Sequence, residues 1–363
     1  MKRCLSLVLS LLALAIPATA GATTFGAEVS ADFTNQVRGD WSQAQALSNL
    51  SALHDAGGRV GRADSNWAVT EAKRPTHGHH RYDWSYDDLV QTEMATARLR
   101  WEPTLAFAPR WAEAHESRVL HLRGRGRVIA YLPPARNSNF ATYARAFMRR
   151  YGPHGSFWRA NRKLRYLPVT TVEVWNEPDN LYDWGKHINL GDYARMYEAV
   201  RTAVHRVYRH ARVMTGGLAW TESSLPRLLK AFRGRPMDAV AIHPYGKTPG
   251  KSIRVARDAL ADMRRFGRGR TPVSANEYGW TSLRDTWGST NPRHVKSYAY
   301  RTLVGLANLG LSEIEPFSWS DPSWGLSTGS FARAVAKIKH RARISHRGRQ
   351  HGRHRARHSH HHR

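Results

Sequence analysis

Cysteine is nearly absent: Cys4 is the one thiol in 363 residues. It lies ahead of an N-terminal apolar stretch that reads as a removable leader. The rest of the chain therefore has no disulfide, no thiolate nucleophile and no cysteine-based metal site. No apolar run reaches 18 residues, which excludes an ordinary membrane-spanning helix. Acids are scarce as well, with 28 Asp+Glu against 56 Lys+Arg, a formal charge of +28. Few of those cations are lysine, so the excess is arginine. Such a charge attracts polyanions of any kind (wall polymers, acidic polysaccharide, nucleic acid, anionic lipid) and says little about fold. Missing too are a phosphate-binding loop, a dinucleotide fingerprint and a Ser-His-Asp order. Aromatic residues are plentiful: the 13 Trp and 41% hydrophobic content exclude a wholly disordered chain.

The two ends differ from the middle. Lys2 and Arg3, the apolar run 5–16 and Ala18-Thr19-Ala20 have the form of a secretion signal over 1–20, which predicts an extracellular or cell-wall-associated protein. Residues 343–363 carry arginines and histidines, no acid and no apolar periodicity, and are expected to be a disordered tail. Its predicted partner is an anionic wall polymer or exopolysaccharide, held by charge alone. Between them, 24–342 is expected to form one domain.

Within that domain strand-like and helix-like segments alternate. Strands are expected at 25–30, 59–63, 100–107, 170–175, 212–218, 239–243, 272–277 and 313–319, and helices at 42–55, 86–97, 140–150, 192–208, 225–232, 253–266, 294–309 and 331–339. Gly57, Gly267 and Gly310 stand where helices should stop. Eight strict alternations predict an α/β fold, a (β/α)8 TIM barrel. A doubly wound open sheet is the competing arrangement, but no glycine-rich loop follows the first strand.

In such a barrel chemistry sits at the C-terminal tips of the strands. The fourth strand ends Val174-Trp175-Asn176-Glu177-Pro178 and the seventh Ser274-Ala275-Asn276-Glu277-Tyr278-Gly279. Strands four and seven oppose each other, so the two carboxylates are expected to meet over the mouth. Paired carboxylates ~5–5.5 Å apart are what double-displacement glycoside hydrolysis needs: one acid/base and one nucleophile. A lone glutamate at a strand end is usually a solvated loop residue. Two at matching ends, each after Asn and beside aromatic residues, are not explained that way.

Trp175-Asn176-Glu177-Pro178 and Asn276-Glu277-Tyr278-Gly279 resemble the acid/base and nucleophile motifs of clan A glycoside hydrolases. Residues 238–245, Asp-Ala-Val-Ala-Ile-His-Pro-Tyr, look like the sixth-strand motif of relatives in families 39 and 5. Tyr82-Asp83-Trp84, the helix after it and the segment 103–111 look like the second and third units of the group. The resemblance covers nearly all of 24–340. Asn276 stands where many relatives carry Thr, which leaves the family within the clan open.

The resemblance implies that Glu177 is the general acid/base, Glu277 the nucleophile, and Asn176 the group that bonds the sugar 2-hydroxyl. The nucleophile must be ionised, which calls for positive or hydrogen-bonding neighbours; Arg62, placed at the end of the second strand, and Tyr245 match the positions that hold it. His243 is expected to line the pocket near the sugar or the acid/base, or else to be an ordinary satisfied buried histidine. Trp319 is expected as the apolar floor for the sugar and Trp175 as a substrate contact; both could instead be core aromatics. Glu173, in phase with Trp175 and Glu177, should point inward and need a cation, for which Arg62 is the candidate. Trp67, Trp111, Trp184, Trp220, Trp280, Trp287 and Trp324 lie near strand ends, where some could line a cleft. The histidines of His77-Gly78-His79-His80 lack spaced carboxylates and read as incidental, so no metal and no cofactor is expected.

These observations predict a secreted retaining glycosidase acting on β-linked oligo- or polysaccharide, endo-acting given the many aromatics near the mouth. Its rivals are a barrel that binds sugar without turnover, a polyanion-binding surface protein whose tail is the function, and a transglycosylase working through the same intermediate.

Overall fold

The computed structural model describes residues 23–122, 126–284, 288–321, 323–324 and 329–340. The expected leader 1–20, the tail 343–363 and Trp287 lie outside them. Eight parallel strands form the sheet: β1 (Thr24–Glu28), β2 (Val60–Asn66), β3 (Arg100–Ala106), β4 (Thr171–Val174), β5 (Arg212–Thr215), β6 (Val240–Ile242), β7 (Val273–Ala275) and β8 (Glu313–Ile314). Their spatial order is β5-β4-β3-β2-β1-β8-β7-β6. Parallel bridges Met214–Ala239 and Leu218–Ile242 bring β5 against β6 and close the ring. The architecture is the (β/α)8 barrel that the alternation predicts.

Each predicted strand is present, several of them shorter. β2 is longer, and this corrects one placement: Arg62 is the third of seven residues, not the strand's end. Ser65 and Asn66 look like a polar stop in the sequence. In the fold they pair with Leu105 and Ala106, and Ser65 Oγ is satisfied by Asp87 and Tyr143 at 2.6 Å each. Polar residues end a strand only when nothing inside can bond them.

The outer helices include Gln43–Asp55, Ser85–Thr96, Asn137–Tyr151, Leu190–His205, Thr221–Ala231, Pro249–Arg265 and Val295–Ala307, with a helical stretch at 329–340. Ser42 and Gln45 form a reciprocal capping box that starts the first of these. Its end, and those of two later helices, coincide with Gly57, Gly267 and Gly310, all at positive φ. Two elements carry no clear sequence signal. Helix Ser30–Arg38 buries only Asp32 and Phe33, too few for a periodic stripe, and the hairpin Val119–Leu122/Gly126–Ile129 is largely solvent-facing. No helix among the described residues is long and apolar enough to cross a membrane.

Asn137–Tyr151 buries Phe140, Tyr143, Phe147 and Tyr151 along one stripe against β2 and β3, where Trp67 stacks on Tyr143 at 5.6 Å and Trp101 meets Phe147 edge-on at 5.2 Å. Each such ring contributes about 1.5–3 kcal/mol by burial. With the apolar core placed between sheet and helices, the inner face of the barrel is left to polar side chains, and these build the site.

Candidate active site

Arg62 organises the centre. Its Nε donates to Glu173 Oε2 at 2.8 Å, Nη2 to Asn176 Oδ1 at 2.9 Å, and Nη1 faces Glu277 Oε2 at 3.4 Å. Glu173 is fully buried and also accepts from Thr104 Oγ1 at 2.7 Å and the Gly217 amide at 2.8 Å. Burial alone would raise its pKa; the Arg62 charge and these hydrogen bonds more than reverse that and hold it below the ordinary glutamate value. Arg62 is thus the cation that an inward Glu173 requires.

Glu277 presents one oxygen to Arg62 and the other to Tyr245, whose hydroxyl donates to Oε1 at 2.9 Å. Glu177, 8% exposed, has both oxygens engaged: Oε1 lies 2.9 Å from His243 Nδ1 and Oε2 accepts from Asn180 Nδ2 at 2.5 Å. His243 Nε2 is 3.8 Å from Glu277 Oε2, so the imidazole stands between the glutamates. One ligand atom from each of Glu177, His243 and Glu277 lies within 4.8 Å of the others. That spacing is also compatible with a metal ion, but the Arg62 guanidinium already supplies positive charge at Glu277.

Burial opposes a charged imidazole. The Glu277 charge and the bond to Glu177 outweigh it and raise the His243 pKa, while His243 lowers that of Glu177 against its own burial. The ring fits because residue 217 is glycine: a Cβ there would collide with His243 Nε2.

The chain around Glu177 is strained. Trp175 at φ 69° and Glu177 at φ 39° are non-glycine residues in left-handed backbone, a cost of about 1–3 kcal/mol each. The Trp175 indole bonded to Asp183 O at 2.6 Å and the Asn180 amide bonded to Glu177 O at 2.9 Å hold this turn. Asp179 braces it from below, accepting from the amides of Ala219 and Trp220 at 2.9 Å each.

Two expected sugar contacts are corrected. Trp175 is fully buried between Phe140 and Trp184 and serves the core. Trp319 turns away from the mouth: its indole donates to Asn49 O at 2.8 Å and its ring packs on Phe331. Phe317 and Ser318 both line the cavity, while Trp319 packs toward the helices that carry Asn49 and Phe331. Trp67, Trp184, Trp280 and Trp324 are likewise buried, whereas Trp220 is 51% exposed. Of the histidine cluster, His80 Nδ1 pairs with Glu71 Oε1 at 2.7 Å, a structural contact.

The cavity beside Glu277 has a volume of about 480 Å³, and several of its walls were not evident in the sequence. Glu28, Asp64, Trp41 and Asp321 line it with Arg62, Asn176 and Glu277. Asp64, two residues after Arg62 on β2, and Glu28, level with Arg62 on β1, share its inward phase, the signal that could have found them. Burial raises Asp64 to about 7 despite the Arg62 charge. Asp183, hydrogen-bonded by Asn176, is pushed well above the ordinary aspartate range by burial and then by Glu177.

No family model matches the chain, and no curated protein matches it in sequence. Solved structures do match its fold. A family 39 β-xylosidase from Caulobacter crescentus superposes with a TM-score of 0.63 at 17% identity, over 87% of this chain and 70% of that one. A monomeric β-xylosidase from Caulobacter crescentus CB15 gives 0.61 at 17% identity over 82% of this chain; the match spans 59% of that longer protein. An exo-β-1,4-mannosidase from an Opitutaceae bacterium, strain TAV5, gives 0.58 at 15% identity over 89% of this chain and 61% of its own. What the chain shares with these enzymes is the fold, a (β/α)8 barrel.

Proposed function

We propose that this protein is a secreted retaining glycoside hydrolase that cleaves β-linked oligo- or polysaccharide through a covalent glycosyl-enzyme intermediate. The observation that carries the reading is the approach of Glu177 and Glu277, with a carboxylate oxygen of each within 4.8 Å of the other. Retaining pairs sit ~5–5.5 Å apart and inverting pairs ~6.5–9.5 Å, the latter leaving room for a water. Glu277, oriented by Arg62 and Tyr245, attacks the anomeric carbon. Glu177 protonates the departing oxygen with the proton it shares with His243, then activates the water that releases the sugar. Asn176, fixed by Arg62 and Asp183, is placed to bond the sugar beside the nucleophile.

Internal cleavage is the mode we favour. Trp41 lines the cavity after β1 and the exposed Trp220 follows β5, so aromatic surfaces flank the mouth on opposite sides of the ring. The Arg/His-rich segment 343–363 would hold the enzyme on an anionic wall polymer or exopolysaccharide, a role its charge supports. The test is a screen of the purified protein on β-glucan, β-mannan, xylan and bacterial exopolysaccharide, with Glu277→Gln as control and product lengths measured. Turnover that survives in the control, or sugar binding with no cleavage of any of them, would overturn the reading.

A further inference from the structure

The barrel interior holds an excess of negative charge. Glu28, Glu102, Glu173, Glu313 and Glu315, from β1, β3, β4 and β8 and the residue just past it, are each no more than 4% exposed. Arg62 is the one lysine or arginine buried among the described residues, and its donors go to Glu173, Asn176 and Glu277. Arg212 reaches Glu313 from the solvent side at 3.5 Å. Buried carboxylates without a compensating charge are costly, and protein interiors answer with protons or cations.

Three of the five converge. Carboxylate oxygens of Glu102, Glu313 and Glu315 all lie within 4.8 Å of one another, although β3 and β8 are not neighbours in the sheet. Independently, Glu315 is fully buried and neither of its oxygens has a hydrogen-bond partner among the described residues; Glu102 Oε1 is in the same position. At the level of Glu315 on the adjoining strand stands Asn276, fully buried, with both amide atoms also unpartnered there. On the other side, level with Glu315, Gly26 contributes no side chain.

We propose that Glu102, Glu313 and Glu315 form a binding site for a hard divalent cation of the calcium class, with the Asn276 amide oxygen as a further ligand. An all-oxygen set of carboxylates and an amide is the donor chemistry that calcium takes, whereas zinc and copper select nitrogen and sulfur. Calcium sites place oxygens 2.3–2.6 Å from the ion, so oxygens that lie within 4.8 Å of one another can share one. The cation would tie β3 to β8 across the interior. It would also keep Glu102, level with Arg62 in the sheet, from competing for that guanidinium. The site is separate from the glycosidase reading and stands or falls without it.

Full-length protein, dialysed against EDTA and then titrated with CaCl2 by calorimetry, should bind one calcium per chain, with metal analysis giving the same stoichiometry and a higher melting temperature in calcium than in EDTA. Glu315→Gln should weaken binding by more than the ~10–100-fold that loss of an outer partner costs. Should that variant fail to fold, anomalous density from a wild-type crystal grown with CaCl2 decides the matter: a peak between Glu102, Glu313 and Glu315 supports the site. No bound calcium with melting indifferent to CaCl2 and EDTA overturns it, as does a peak elsewhere or undiminished binding in Glu315→Gln.

Discussion

His243 Nδ1 lies 2.9 Å from Glu177 Oε1, and its other ring nitrogen is 3.8 Å from Glu277 Oε2. One imidazole therefore touches the acid/base candidate and faces the nucleophile candidate, which makes the two glutamates separable by chemistry. Glu277→Gln should abolish turnover. Glu177→Ala should lose ~10²–10⁴-fold on substrates with poor leaving groups and much less on activated ones. Azide should rescue Glu177→Ala and yield a glycosyl azide of retained configuration, because that variant still forms the intermediate. An azide product of inverted configuration from Glu177→Ala would exchange the two assignments.

Tyr245 donates to Glu277 Oε1 at 2.9 Å, and removing its hydroxyl leaves Arg62 to orient that carboxylate. Tyr245→Phe is expected to lower kcat about 10–100-fold, the loss of one charge-assisted hydrogen bond of ~1.5–3 kcal/mol, with KM little changed. Steady-state kinetics on an aryl glycoside measure both. A rise in KM at constant kcat would assign the tyrosine to sugar binding instead.

Trp319 faces Asn49 and Phe331, not the cavity. Trp319→Phe should therefore leave KM unchanged while lowering the melting temperature, since a buried hydrogen bond and part of a large ring are lost. A raised KM at unchanged stability would restore the sugar-floor role.

Asp87 is fully buried, bonded by Ser65 and Thr70, and raised to about 7 by burial. In the unfolded chain it titrates near 4. Between those values the unfolded state has released the proton and the folded state has not. Stability is thus fully present below about pH 4, falls as pH rises, and is lower by about 2–4 kcal/mol above 7. Asp87→Asn should match the wild type at pH 4 and melt higher at pH 8. Thermal melts across that range test it; a variant less stable at pH 8 would show that the carboxylate is ionised and well solvated.

Residues 343–363 hold seven arginines, seven histidines and no acid. Deleting them should leave turnover of a small aryl glycoside unchanged and reduce retention on anionic wall material. The difference should shrink with added salt, as screening weakens exposed charges, and grow as pH falls through ~6.5 and histidines charge. Equal retention of both forms at low salt would remove any tethering role.

Sequence alone determined the strand-helix alternation, the stops at Gly57, Gly267 and Gly310, and the placing of Glu177 and Glu277 at the tips of opposed strands. Each follows from local rules: a hydrophobic period, a backbone conformation that glycine adopts freely, a short motif at a strand end. The inward phase of Glu173 was legible for the same reason, since side chains alternate along a strand. Which way Trp175 and Trp319 turn was decided only by the fold, because both follow strands in irregular chain where no period operates. Their partners, Asp183 and Asn49, lie 8 and 270 residues away. The meeting of Glu102 with Glu313 and Glu315 also belongs to the tertiary structure. Closing the ring sets strands face to face across its interior, and no spacing along the chain encodes which inward carboxylates meet there.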